Sequence, residues 1–229
     1  RTLFSISTDD TRTGLNGASI ESPKEGQLRL VATDGHRLSL ADGACEGAAS
    51  IPAGTLLPRK GLHELRKLCD DDSASFSVAF ANNQAVFRRE SFVLTMRLLE
   101  GTFPDYNQVI PSSPTRMAVV DRKAFVAALN RVSILAAKGT NSVRFSLGDG
   151  LVGLSSTHTD LGSASEEIEA EVEGDVLDIG FNARYFLDVL NVIGDERIRL
   201  ELGDALSPSL LRPASEADAL FVVMPMRLD

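Results

Sequence analysis

Residues 34–37 read Asp-Gly-His-Arg and follow the apolar run Leu30-Val31-Ala32. A carboxylate two residues from an imidazole could orient it as a general base, with Asp34 as orienter and His36 as base. The same residues also make a tight turn, since Asp-Gly is a strong turn dipeptide; His36 and Arg37 would then open a strand. The turn is the favoured reading, because no serine or cysteine stands in a nucleophile-elbow pattern. His63 and His158 lie far off in sequence with no ligand spacing. Asp70-Asp71-Asp72 lacks the alternating ligands of a calcium loop and reads as a solvated helix end. Cys45 and Cys69 are too few for a disulfide framework or a Cys-rich zinc site. They read as reduced thiols of a cytosolic protein. Gly148-Asp149-Gly150 and Gly203-Asp204 read as hairpin turns.

Two apolar segments could form a binding surface instead: Val222-Val223-Met224-Pro225-Met226, and Phe103-Pro104-Asp105-Tyr106. The plain alternatives are a core strand and a packed linker. Methionines flanking a proline make a soft, adaptable surface. A proline in such a run points to a sheet edge or strand end, where a partner can approach.

The elements that must position these residues are of α+β type. Period-2 patterns predict strands at 28–32, 75–80, 84–87, 92–98, 142–147, 167–172, 197–202 and 220–226. Helices are predicted at 59–69, 122–138 and 183–193, the last two with N-caps Asp121 and Asn182. Consecutive hairpin-length strands predict antiparallel sheets with a few helices on one face. The Pro- and Ser-rich run Pro111-Ser112-Ser113-Pro114 predicts a boundary between domains 1–112 and 113–229. Each side carries a helix, then strands, then Met-Arg-Leu, at 96–98 and 226–228, which argues for a duplicated domain.

The 229 residues include 23 Lys and Arg against 32 Asp and Glu, a net charge of −9 that excludes a uniformly basic nucleic-acid coat. Its distribution says more than its sum. Arg59, Lys60, Arg66 and Lys67 stand against Glu64 alone, and Arg122, Lys123, Arg131 and Lys138 against Asp121 alone. Lys and Arg are also ordinary residues of a solvated helix face. Against an acidic background, however, two basic helices fit an anionic polymer that touches helices and is repelled elsewhere. No apolar run approaches the ~20 residues of a membrane span, and no signal peptide is expected. The opening at Arg1, inside an apolar–polar pattern, reads as a fragment.

Five stretches together resemble one family, the bacterial sliding clamp, or beta subunit of DNA polymerase III. They are Val31-Ala32-Thr33-Asp34-Gly35-His36-Arg37-Leu38, Pro58-Arg59-Lys60-Gly61, Gly101-Thr102-Phe103-Pro104-Asp105-Tyr106, Ile179-Gly180-Phe181-Asn182-Ala183-Arg184-Tyr185 and Val222-Val223-Met224-Pro225-Met226-Arg227-Leu228. They stand in family order over nearly the whole chain. The resemblance implies the DNA-clamp fold, with repeated domains, sheets outside and helices lining a central hole. Most of a middle domain and a full C-terminal domain are expected, without the first domain. The implied function is a non-catalytic, cytoplasmic processivity factor that needs no cofactor or metal. It would encircle duplex DNA without reading sequence, and form a head-to-tail homodimer when the first domain is present.

The resemblance also implies site residues. A cleft would receive a short Gln/Leu/Phe-type motif from the replicative polymerase, the clamp loader and repair or translesion proteins. Its expected lining is Leu15, Thr33, Gly35, His36, Arg37 and Leu38, then Pro104 and Val109, then Val222, Val223, Met224, Pro225 and Met226. Arg12, Arg59, Lys60 and Arg131 are expected at DNA phosphates. Ile134, Leu135, Glu166 and Glu167 are expected at the dimer interface, although Ile134 and Leu135 could simply be helix core. Two further functions remain open at this point: a peptide-binding scaffold with no DNA role, and a hydrolase using Asp34 and His36.

Overall fold

The computed structural model describes residues 1–46, 51–69, 75–137, 139–215 and 218–228. Asp70-Asp71-Asp72 and Lys138 lie outside them. The chain divides into two units, Arg1–Asp105 and Tyr106–Asp229. The Pro-rich run 111–114 that pointed to 112/113 therefore follows the division by a few residues.

In the first unit, β1 (Gly17–Glu21), β2 (Gln27–Thr33), β3 (Arg37–Ala44) and β4 (Leu56–Pro58) form an antiparallel sheet in the order β3-β2-β1-β4. Helix α1 (Arg59–Lys67) follows β4 directly, and β5 (Ser77–Ala81), β6 (Gln84–Arg89) and β7 (Phe92–Arg97) make a second antiparallel sheet. One core joins all three layers: Ala18, Ile20, Ala32 and Leu57 from the first sheet, Leu62 from α1, and Ala85, Phe87 and Met96 from the second. The helix packs close, since a Cβ on Gly61 would lie 2.6 Å from Met96 Sδ. Glycine here serves approach rather than backbone freedom.

The second unit runs β8 (Arg116–Asp121), α2 (Arg122–Ser133), β9 (Ser142–Gly148), β10 (Leu151–His158) and β11 (Gly162–Glu173). It continues with β12 (Leu177–Asn182), α3 (Ala183–Leu190), β13 (Arg197–Leu202), β14 (Ser209–Pro213) and β15 (Ala219–Val223). The strand order is β12-β9-β10-β11-β8-β13-β14-β15, antiparallel throughout. The caps expected of Asp121 and Asn182 are present: Ala124 N–H donates to Asp121 at 2.7 Å and Arg184 N–H to Asn182 at 3.0 Å. Phe125 of α2 and Phe186 of α3 meet Phe145 and Phe181 of the sheet, with ring centroids 4.7 to 6.2 Å apart in edge or tilted contacts. This buried aromatic group fixes both helices to the sheet.

Element order exposes the repeat. A strand leading straight into a helix and then three strands occurs as β4-α1-β5-β6-β7, β8-α2-β9-β10-β11 and β12-α3-β13-β14-β15. The α+β reading with antiparallel sheets holds, and the repeated unit is this five-element motif, present three times among the described residues.

Candidate functional site

Asp34–Arg37 is the turn between β2 and β3, with Thr33 paired to Leu38 across it. Gly35 takes φ +91°, where a side chain would be strained. Asp34 Oδ1 accepts the N–H groups of His36 (2.9 Å) and Arg37 (3.0 Å), and Asp34 Oδ2 accepts from Arg37 Nε at 3.1 Å. Thr33 Oγ1 donates to the Arg37 carbonyl at 2.7 Å and accepts from Gly35 N–H at 3.1 Å. Arg37 also donates to the Phe4 carbonyl at 2.7 Å and stacks over the Phe4 ring, 5.2 Å from its centroid. Asp34 thus builds the turn, accepts the backbone N–H of His36 and anchors Arg37. The result is a rigid turn that presents His36, exposed, beside a half-buried guanidinium.

The other residues expected at a peptide site differ in availability. Leu15 is half-buried at the end of a single 3-10 turn, and Pro104 and Val109 are exposed. Leu38, Val222 and Val223 are fully packed away. Met224, Pro225 and Met226, just beyond β15, are half-buried and can offer side-chain surface. Met226 N–H donates to the Gly180 carbonyl at 2.8 Å, tying this segment to β12.

The basic residues also separate. Arg59 opens α1 half-buried, Lys60 beside it is exposed, and Arg12 reaches the Asp34 carbonyl at 3.4 Å. Arg12, His36, Arg37, Arg59, His63 and Arg66 line one cleft of the first unit. His63 and Arg66 were not among the expected residues. Their signal was the spacing 59, 63, 66, which puts them on one helix stripe with Arg59.

In the second unit the basic character of α2 is largely occupied. Arg122 donates to the carbonyls of Asp195 (2.8 Å) and Leu190 (3.2 Å). Arg131 forms a two-pronged ion pair with Glu166 of β11, which holds the Glu166 carboxyl below its usual range and raises Arg131. Lys123 remains exposed. Ile134 is 76% exposed at the end of α2, so helix core does not describe it, while Leu135 is half-buried. Glu166 and Glu167 lie on the part of β11 that pairs with β10 alone, since β8 joins only from Ala170 to Glu173.

Comparison with known proteins follows the two units. Residues 1–105 match the model of the DNA polymerase III beta subunit central domain, and residues 107–227 that of its C-terminal domain. A beta sliding clamp of Caulobacter vibrioides is 36% identical over 232 residues, which cover all of this chain and 62% of that protein. The crystal structure of a DNA polymerase sliding clamp from Pseudomonas aeruginosa superposes with a TM-score of 0.92 at 35% identity, over 99% of this chain and 63% of that one. The DNA polymerase III beta subunit of Thermotoga maritima gives 0.92 at 33% identity, over 100% and 62%. The chain therefore spans about three-fifths of these relatives, and over that span it has the α+β sliding-clamp fold. With both domain models matched in family order, this chain belongs to the DNA polymerase III beta subunit family.

Proposed function

We propose that the protein acts as a replication processivity factor: a clamp that holds a polymerase on duplex DNA without chemistry of its own. The observation that carries this reading is the ordered match of the central and C-terminal beta-subunit domains across nearly the whole chain. Tethering raises the effective concentration of a released polymerase at the primer end, so it needs no catalytic group. Base-specific contacts would oppose sliding, whereas exposed cations at phosphates permit it. Arg12, Arg59 and Lys60 suit that role best; Arg131 suits it less, because Glu166 already holds it. The Thr33–Leu38 turn and the Met224–Met226 segment are the proposed contacts for a short Leu/Phe motif of polymerases and other partners. Exposed Ile134 and acidic Glu167, beside the singly paired stretch of β11, are the proposed docking points for a second subunit.

Native protein isolated from its source, loaded on nicked circular plasmid, tests the reading. Gel filtration should retain it on the circle, and linearising the plasmid should release it. Equal retention on both forms would falsify encirclement.

A further inference from the structure

Arg199 of β13 and Arg212 of β14 stand directly opposite each other in the antiparallel ladder of the second unit. The alternation of β13 buries Ile198, Leu200 and Leu202 in the core and turns Arg197, Arg199 and Glu201 to the other face. Like charges in opposed positions repel, so two arginines there call for a counter-charge. Arg197, on the same strand face, has one: it donates to Glu171 at 2.7 Å. Arg199 and Arg212 share Glu201, at 4.0 and 3.8 Å, which is within ion-pair range and too long for a hydrogen bond. Among the described residues neither guanidinium donates a hydrogen bond, and the Nε–H of Arg199 is buried without a partner. The Glu201 side chain, only 14% exposed, accepts none from them either.

We infer that Arg199 and Arg212 form a seat for a carboxylate of an acidic protein segment, one contact of a partner's interface on this outer sheet face. Three features select that ligand. Two guanidiniums against the one carboxylate of Glu201 leave a net of +1, which a single carboxylate neutralises and a dianionic phosphate exceeds. The backbone of β13 and β14 is committed to its ladders, so the site offers side-chain forks and no N–H cradle of the kind that holds phosphate. A planar guanidinium meets a carboxylate with two parallel hydrogen bonds. Helices α2 and α3 pack on the core side of the sheet, so nucleic acid that meets the basic residues of α2 lies across the sheet from this pair. A buried N–H without a partner is costly. Turning Arg199 outward to an arriving carboxylate relieves that cost together with the repulsion from Arg212.

Proton–nitrogen spectra of the isotope-labelled protein, read at the arginine Nε–H groups, provide the test. Acetylated tetraglutamate should shift the Arg199 and Arg212 signals saturably, at concentrations where sodium chloride of equal ionic strength does not. Arg212→Gln should weaken the binding seen at Arg199 about threefold or more, and Arg199→Gln should do the same at Arg212. Both variants remove like-charge repulsion, so their melting temperatures should hold or rise. A clear drop in both would make Arg199, Glu201 and Arg212 a brace of the sheet and overturn the seat. Absence of a saturable shift, or one matched by sodium chloride, would overturn it too. Inorganic phosphate acting at lower concentration than the peptide would assign a free anion, and a DNA duplex doing so would assign nucleic acid; either result overturns the acidic partner. None of these outcomes depends on retention on circular DNA, so the tethering reading stands or falls separately.

Discussion

Met226 donates its backbone N–H to the Gly180 carbonyl at 2.8 Å, and a Cβ on Gly180 would lie 2.7 Å from the Met226 carbonyl oxygen and 2.8 Å from Leu228 Cδ2. Gly180 has no left-handed φ to explain it. Its lack of a side chain lets the segment after β15 lie against β12. Gly180→Ala should push residues 224–228 off β12 and cost about 1–3 kcal/mol, as overpacking does. Faster amide exchange at Met226 and a lowered melting temperature are the expected results. Unchanged Met226 protection would show that the close approach is not what holds the segment.

The aromatic group of the second unit gives a sharper stability prediction. Phe145 touches Phe125, Phe181 and Phe186, and all four are fully buried. Phe145→Ala leaves a cavity at the point where both helices meet the sheet. It should cost about 3–5 kcal/mol. Chemical denaturation reads this directly, and a loss below 1 kcal/mol would mean the site collapses around the smaller side chain.

Much of this architecture was legible in the residues. The three helix starts at Arg59, Arg122 and Ala183 were fixed by Pro58 and by the caps Asp121 and Asn182. Their ends were not: α2 stops at Ser133, because nothing in the apolar pattern marks where a helix leaves its sheet. β13, with clean alternation, lies on a predicted range, whereas β1, β4, β8, β10, β12 and β14 have none; in β1 and β14, Gly17-Ala18-Ser19-Ile20 and Ser209-Leu210-Leu211 are buried on both faces and lack a period of two. Asn82-Asn83, both at positive φ, form the β5–β6 turn, for which the Asn-Asn pair is itself a turn signal. At the candidate sites, residue types were legible and partners were not. The pairing of Arg131 with Glu166 joins residues far apart in sequence, and no spacing rule reaches across a sheet.

That pairing has consequences for both charge and pH. Arg131→Gln should weaken duplex binding less than Lys60→Gln, because Glu166 already neutralises Arg131. Glu166→Gln should strengthen binding by releasing it. The folded-state pKa of Glu166 is lowered, chiefly by its hydrogen bonds from Arg131. Its contribution to stability is therefore present above the unfolded-state carboxylate pKa and is lost as pH falls through the lowered value. Both groups lie at the surface, so the acid-side loss should be small and should vanish in high salt. Duplex titrations of the three variants at one salt concentration decide the binding half. An equal loss for Arg131→Gln and Lys60→Gln would mean that DNA draws Arg131 away from Glu166.

The peptide contact is tested most directly at Met224. Val222 and Val223 are buried, and so are poor candidates for a side chain that meets a partner. Met224 is the first residue past β15 with side-chain surface to offer, and it is a flexible thioether that can mould to a Leu or a Phe. Burying those two anchors would contribute roughly 1.5–3 kcal/mol each. Set against association and ordering costs of several kcal/mol, this leaves an affinity on the order of micromolar. Met224→Ala removes one wall of that contact and should weaken a Gln-x-x-Leu-Phe peptide about tenfold or more. Its melting temperature should move little, since a half-buried side chain leaves only a small cavity. His36→Ala should weaken the same peptide less, because in the proposed contact its exposed imidazole would meet only the polar end of the motif. Calorimetric titration of wild type and both variants provides the measurement. No heat from wild type at high micromolar protein would remove the peptide site. An unchanged affinity in Met224→Ala would move it away from the segment after β15.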